Sequence, residues 1–453
     1  MTNAADKLGG LAHVAGGQAN FSNSRALQSK AHRLIPGGAH TYAKGDDQYP
    51  EQAPGFIVRG KGCHVWDLDG NEYIEYGMGL RAVSLGHAFD PVVEAAYKQM
   101  LLGTNFGRPA KIEVDLAEAM LGILDGADMV KFAKNGSDVT TAALKLARAH
   151  TGRDLVAICG DHPFFSVDDW FIGTTELNAG IPEAISRMTM KFRYNDLADL
   201  RQLFDNHPEQ IACVVLEPET VVPPAPEYLS QLKQLCEDRG AVLVFDETIT
   251  GFRWHLAGAQ GFHGVVPHLS TFGKALGNGF AIAALVGKRE IMRLGGLDHD
   301  QPRVFLLSTT HGAETHALAA ALEIIRIYRE RHVVEFLWKQ GERLRTLLNR
   351  SIAENHLEEF FKLAGRPCNL IFLTHDQDLQ RSQPFRTLFM QELIRRGVIG
   401  PSFVVSFSHS DADIDHTAEA VHGALLVYRK AIDEGVEKYL EGRPVRPVYR
   451  KFN

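Results

Sequence analysis

Between Pro91 and Phe245 the apolar residues follow two alternating rhythms. Helical spacing of apolar positions predicts helices over Pro91–Leu102, Glu113–Leu124, Val139–His150 and Pro226–Arg239. Short unbroken apolar runs predict buried strands at Met129–Ala133, Leu155–Cys159, Ile211–Leu216 and Ala241–Phe245. Strands that alternate with helices imply βαβ units. The expected class is therefore α/β, with a mostly parallel central sheet flanked by helices.

The flanks read differently. Residues 1 to about 25 are small and polar, which predicts a mobile terminus. A helix pattern at Ser24–Leu34 stops at the breaker Pro36-Gly37-Gly38. Gly55–Val65 alternates like a strand and runs into Asp67–Glu72, a hairpin turn. After the long helix predicted at Thr315–Tyr328 come helices at Val333–Glu354, Gln383–Arg396 and Asp413–Glu434. Short strands are predicted between them at Asn369–Leu373 and Phe403–Phe407. This change divides the chain into a large domain, 76–325, and a smaller α+β domain. The latter is built from the C-terminal part, 326–453, and the N-terminal segment, 1–75.

Composition narrows the partners. The net charge of −7 over 453 residues disfavours nucleic acid. No apolar run approaches the roughly 20 residues that span a bilayer, so no membrane partner is expected. The terminus has no apolar core of signal-peptide length. Five scattered cysteines without a CxxC pair read as reduced thiols, which fits the cytoplasm. None of the histidines stands at an HExxH or paired Cys/His spacing, so no metal is expected.

Four clusters carry candidate chemistry. Asp246 and Glu247 end a buried strand, where open α/β sheets bind ligands. Lys274 follows a second apolar segment in a Gly-flanked loop, where desolvation would free its amine. Asn135-Gly136-Ser137 joins a strand to a helix start, which suits a phosphate or a plain helix cap. Ser308–Gly312 precedes the Thr315 helix and allows the same two readings. A lysine amine and a strand-end carboxylate are what pyridoxal phosphate requires. The amine forms a Schiff base, and the acid keeps the ring nitrogen protonated.

With these residues in place, the chain resembles the class III pyridoxal-phosphate aminotransferases of fold type I. Within them it is most similar to the glutamate-1-semialdehyde 2,1-aminomutase branch. The likeness runs from about Ser24 to Lys430 and is carried by Leu34–Gly38, Trp66–Gly70, Leu85-Gly86-His87, Asn135–Ser137, Glu217-Pro218, Phe245–Arg253 and Phe272–Gly277. It implies that Lys274 holds the cofactor as a Schiff base and that Asp246 pairs with its pyridine nitrogen. Gly136 and Ser137, beside Asn135, would hold the phosphate. Thr248 would pack under the ring and Glu217 would border it. Thr309 would reach the phosphate from a second subunit, which implies a homodimer. The reaction implied is transfer of an amino group from a small-molecule donor to a carbonyl acceptor; the alternative is intramolecular transfer by an aminomutase, an isomerase.

Several positions depart from the family. Asp161-His162-Pro163-Phe164-Phe165 stands where the family has Tyr-His-Gly, leaving Phe164 or Phe165 to stack on the cofactor. Gly79-Leu80-Arg81 replaces Ser-Trp-Gly, and Lys44 replaces a carboxylate-binding arginine. Arg81 and Lys44 are thus the substrate-binding candidates. The aminomutase's C-terminal active-site glutamate has no counterpart in Gly400–Ser406, which weighs against strict mutase chemistry.

Overall fold

The computed structural model describes residues 20–451. The expectation for the first residues therefore falls largely outside the described part; from Ser22 to Leu34 the chain is helical. The chain forms two compact units. One comprises the residues up to Met78 with Gln340–Val448, and the other comprises Gly79–Lys339 with the last residues.

In the first unit, β1 (Ile57–Lys61), β2 (His64–Asp67) and β3 (Glu72–Glu75) form an antiparallel meander. The β2–β3 turn is built by Asp67, whose Oδ1 accepts the amides of Asp69 (3.0 Å) and Asn71 (2.8 Å).

The second unit holds a seven-stranded sheet. Its strands are β4 (Met129–Ala133), β5 (Leu155–Cys159), β6 (Thr189–Phe192), β7 (Ile211–Leu216), β8 (Val242–Asp246), β9 (Leu269–Phe272) and β10 (Ala283–Gly287), in the order β4-β10-β9-β8-β7-β5-β6. From β9 to β6 every pairing is parallel, and β10 runs antiparallel to both its neighbours. The apolar runs are continuous because both faces are covered. Cys213, Val215, Val242 and Val244 face one core with the helix Gly136–Thr151. The alternate residues Val214, Leu216, Leu243 and Phe245 face the other with the helix Tyr228–Asp238. Each fully buried aliphatic side chain contributes about 1.5–3 kcal/mol.

Back in the first unit, β11 (Phe361–Ala364) and β12 (Ile371–Thr374) form a hairpin, and β13 (Val398–Ile399) joins β3 in parallel. The strand expected at Phe403–Phe407 does not form. Phe403 donates its amide to Leu370 O at 2.9 Å and Val404 donates to Tyr76 O at 3.3 Å. Phe403 to Ser406 are buried, but Phe403 makes only an isolated bridge to Leu370 and the Ser406 amide goes to His409 Nδ1, so no ladder is built.

Candidate active site

The parallel pairing sets the site. Leu216 pairs with Phe245, and Asp246 with Thr271. Glu217, Asp246 and the Gly273-Lys274 step therefore emerge along one sheet edge, at the carboxyl ends of β7, β8 and β9. This is the edge where doubly wound sheets take ligands.

The two strand-end acids have separate jobs. Asp246 Oδ1 accepts the Thr248 amide at 2.9 Å and the Thr271 hydroxyl at 3.1 Å. Glu247 turns away into the protein. Its carboxylate accepts the Thr250 hydroxyl and the amides of Ala259 and Gln260, both at 2.7 Å, at the start of the helix Gly258–His263. Glu247 is thus an anchor for the loop after β8, and Asp246 is the acid left at the edge.

Lys274 opens a 3₁₀ turn with φ of 44°, a left-handed conformation that costs a non-glycine residue energy. Burial lowers its pKa, Asp246 and Glu217 oppose that, and Arg81 and Arg253 reinforce it. Burial likewise raises Asp246, against Thr248, Lys274 and Thr271, which favour its charged form. Burial, with Asp246 next, raises Glu217, and the nearby Lys274 and Arg81 pull it down. These groups form one electrostatic unit in which desolvation favours neutral forms and mutual attraction favours charged ones. The turn is fixed from behind. Asn278 accepts the Leu85 amide at 2.8 Å and donates to Gly86 O at 3.1 Å. That ties the lysine loop to the Leu85-Gly86-His87 motif.

The helix Gly136–Thr151 points its N-terminus at the same place. Asn135 begins a capping box in which its own amide donates to Asp138 Oδ2 at 2.9 Å. A Cβ added to Gly136 would lie 3.4 Å from Thr248 Cγ2, and one on Gly273 would lie 3.3 Å from the same atom. Thr248 therefore lies between the helix start and the lysine loop. Its hydroxyl oxygen is buried and meets no partner among the described residues. Ser137 Oγ accepts the Val167 amide at 3.1 Å, which leaves its proton for another acceptor. Helix-start amides, a serine hydroxyl, an orphaned threonine hydroxyl and a desolvated lysine fit a phosphorylated aldehyde cofactor.

Gly79, Leu80 and Arg81 all have positive φ, at 58°, 58° and 71°. The Arg253 guanidinium, fully buried, donates to Arg81 O at 3.0 Å and holds this left-handed turn. Burial lowers the Arg81 pKa, with Arg253 next, while Glu217 raises it.

The remaining candidates stand on other elements. Lys44 belongs to the other unit, in the 3₁₀ turn Tyr42–Lys44. Phe165 is in the core, edge-on to Phe171 at 5.6 Å between centroids. Phe164 is exposed and meets Phe171 edge-on at 5.7 Å. Thr309 is exposed, in a loop before the helix Thr315–Glu330. The sequence pattern passed over His162, which had counted only as a histidine outside any metal spacing. It is buried, and its Nδ1 accepts the Glu217 amide at 3.1 Å. The family's Tyr-His-Gly position was the one signal that marked it.

Among the described residues, Cys63, His64 and Asp413 bring ligand-type atoms within 4.8 Å of one another. Asp413 Oδ2 is taken by the Ser410 amide and hydroxyl, and Oδ1 by His64 Nε2 at 3.0 Å. The cluster is a helix cap joined to an ion pair.

A mostly parallel α/β sheet whose carboxyl edge gathers a desolvated lysine, an acid and a helix start is the arrangement of a pyridoxal-phosphate enzyme of fold type I. The family described as "Aminotransferase class-III" matches residues 46–425. The chain belongs to the class III aminotransferases. It is 32% identical over 428 residues to glutamate-1-semialdehyde 2,1-aminomutase 1 of Bacillus cereus (strain G9842), covering 89% of this chain and 98% of that one. The Sphingopyxis sp. MTA144 FumI protein, solved in its PLP internal aldimine form, is 28% identical with a TM-score of 0.84, covering 91% and 98%. An omega-transaminase from Sphaerobacter thermophilus shares the fold at 24% identity and a TM-score of 0.81, covering 90% and 98%.

Proposed function

We propose that this enzyme transfers an amino group between a small-molecule donor and a carbonyl acceptor, with Lys274 as the reacting amine and Asp246 as the acid facing the cofactor ring. The observation that carries this reading is the convergence of Lys274, Asp246 and the Gly136–Ser137 helix start at one sheet edge. When bound, pyridoxal phosphate supplies an aldehyde that condenses with amines and a ring that delocalises the electron pair left at the substrate carbon. Lys274 Nζ would hold the cofactor and, once freed, would move a proton at the substrate carbon. Its lowered pKa keeps the amine available for both tasks. Asp246, oriented by Thr248 and Thr271, holds a proton at the ring nitrogen. Gly136 amide, Ser137 and Thr248 hold the phosphate and the ring, with Asn135 shaping the cap. Glu217 would border the ring; burial, with Asp246 next, raises its pKa, and Lys274 and Arg81 oppose the rise.

Arg81 is the proposed substrate cation, because a guanidinium takes a carboxylate bidentately. The strained turn held by Arg253 fixes where it points. The 32% identity to an aminomutase supports a second reading, intramolecular transfer on glutamate-1-semialdehyde. Purified enzyme separates the two. A mutase turns over without an added acceptor, whereas a transaminase stops after one half-reaction until a keto acid or aldehyde is supplied. Lys274→Ala tests the shared core. It is expected to lose the visible absorbance of covalently held cofactor and to lower turnover by roughly 10²–10⁴ or more. Full turnover in that variant overturns the assignment.

A homodimer in the cytoplasm completes the reading. Thr309 is the residue that would reach across, and the five cysteines are buried and form no disulfide among the described residues, as a reducing compartment allows.

A further inference from the structure

The short helix Gly258–His263 is gripped at its start by the strands that deliver Asp246 and Lys274. Glu247, the residue after Asp246, accepts the Ala259 and Gln260 amides, both at 2.7 Å. Buried Gln260 accepts the hydroxyl of Ser270, within β9, at 3.2 Å through its Oε1.

The last residue of the helix reaches the exit of β7. His263 Nε2 lies 2.7 Å from Glu219 Oε2, and Glu219 is 1% exposed. An ionised carboxylate only accepts, so the ring nitrogen is the donor. Burying a carboxylate is costly unless it is paired and hydrogen-bonded, which ties the place of Glu219 to that of His263. Glu219 stands two residues after Glu217, and each residue of this step is held from a different element. The Glu217 amide donates to His162 Nδ1 at 3.1 Å, and Pro218 O accepts the Tyr194 hydroxyl at 2.6 Å. His162 and Tyr194 follow β5 and β6, which lie on the opposite side of β7 from β8 and β9. Among these three contacts, only His263 refers the segment to the strands of Asp246 and Lys274. That reference has a chemical consequence. Asp246 and Glu217 favour the charged form of Lys274, while Arg81 and Arg253 oppose it. The separation of Glu217 from the amine therefore bears on when the amine holds its proton.

We propose that His263 is a positioning residue of the amino-transfer site, whose hydrogen bond to Glu219 sets where the Glu217 carboxyl stands relative to Asp246 and Lys274. The proposal rests on the pyridoxal-phosphate reading above. His263 acts through Glu219 and Glu217, not on the cofactor itself.

The test uses the full-length enzyme loaded with pyridoxal phosphate and compares two amides at position 263. In His263→Gln the amide nitrogen falls where Nε2 stands and keeps the bond to Glu219. In His263→Asn the side chain is one carbon shorter and loses it. The readout is the pH midpoint at which the visible absorbance of covalently held cofactor changes. His263→Asn is expected to lower that midpoint by about one unit, because an acid moved away from the nitrogen no longer favours its protonated form. His263→Gln is expected to keep the wild-type midpoint. Glu217→Gln is expected to lower the midpoint by itself, and adding His263→Asn to it is expected to move it no further. An unmoved midpoint in His263→Asn overturns the proposal, as does an equal shift in His263→Gln or a further shift on top of Glu217→Gln. So does a His263→Asn protein that cannot load cofactor, because the pair is then a prop for the fold. Each of these results leaves the cofactor reading standing. A wild-type protein that takes up no cofactor overturns both.

Discussion

At the scale of single residues, the adjacent acids Asp246 and Glu247 look equivalent in sequence and are not. Three donors to Glu247 make it a structural anchor, and only Asp246 is left at the sheet edge. Asp246→Asn keeps the shape and an acceptor for Thr248 but removes the charge that would hold a proton on the ring nitrogen. It is expected to bind cofactor with modest loss and to lower turnover by about 10²–10³, the usual cost of one preorganised electrostatic contact. Half-reaction kinetics followed by absorbance measure it, and an unchanged rate removes Asp246 from the mechanism. The placement of Lys274, Asp246, Gly136 and Ser137 at strand ends and a helix start was legible in the sequence, because local apolar runs and glycines mark both. The setting of His162 was not, because it depends on an amide donated by Glu217, 55 positions away. Nor was the placing of Phe165, which depends on its packing with Phe171.

At the scale of elements, the loop after β8 is packed tightly around Gly258. Gly258 has φ of +81°, and a Cβ there would stand 2.4 Å from Glu247 Oε2. Gly152, at the end of the helix Gly136–Thr151, has φ of +68° but open space around it. Gly258→Ala is therefore expected to cost about 2–4 kcal/mol, from backbone strain plus overpacking, and Gly152→Ala about 1 kcal/mol from strain alone. Urea unfolding measures both, and equal costs would refute the packing account. In the other unit, His64 sits between Asp413 Oδ1 at 3.0 Å and Glu72 Oε1 at 2.9 Å. The hydrogen bond to Asp413 raises the His64 pKa, against burial, with Glu72 adding to the rise. A histidine raised in this way stabilises fully below its unfolded value of about 6.5, and that contribution is lost as pH rises through the raised value. His64→Gln is thus expected to lower the melting temperature by a few degrees at pH 5.5 and by much less at pH 9. A pH-independent loss would mean that packing, not charge, holds the triad. The parallel sheet itself was readable from its unbroken apolar runs. β10 was missed, because nothing local in Ala283–Gly287 marks an antiparallel strand between β4 and β9.

At the scale of the whole molecule, the second unit exposes large apolar side chains near the loop that carries Thr309. Leu101 is 69% exposed, Leu102 73% and Phe305 73%. The loop that carries Thr309 is bound to the loop after Leu102. The Thr315 hydroxyl donates to Gly103 O at 2.7 Å, its amide to Thr104 O at 3.0 Å, and Asn105 Nδ2 to Thr310 O at 2.9 Å. The apolar loop and Thr309 therefore belong to one surface, and a second copy covering it would carry each Thr309 towards its partner's site. Leu102→Glu is expected to give a monomer by light scattering and to release cofactor more readily. Thr309→Ala is expected to stay dimeric and to hold cofactor roughly tenfold less tightly, the loss of a hydrogen bond to a charged group. Together the variants separate assembly from ligation. A Leu102→Glu monomer that keeps its cofactor at full affinity refutes a Thr309 contribution across the interface, while a Leu102→Glu dimer places the contact elsewhere.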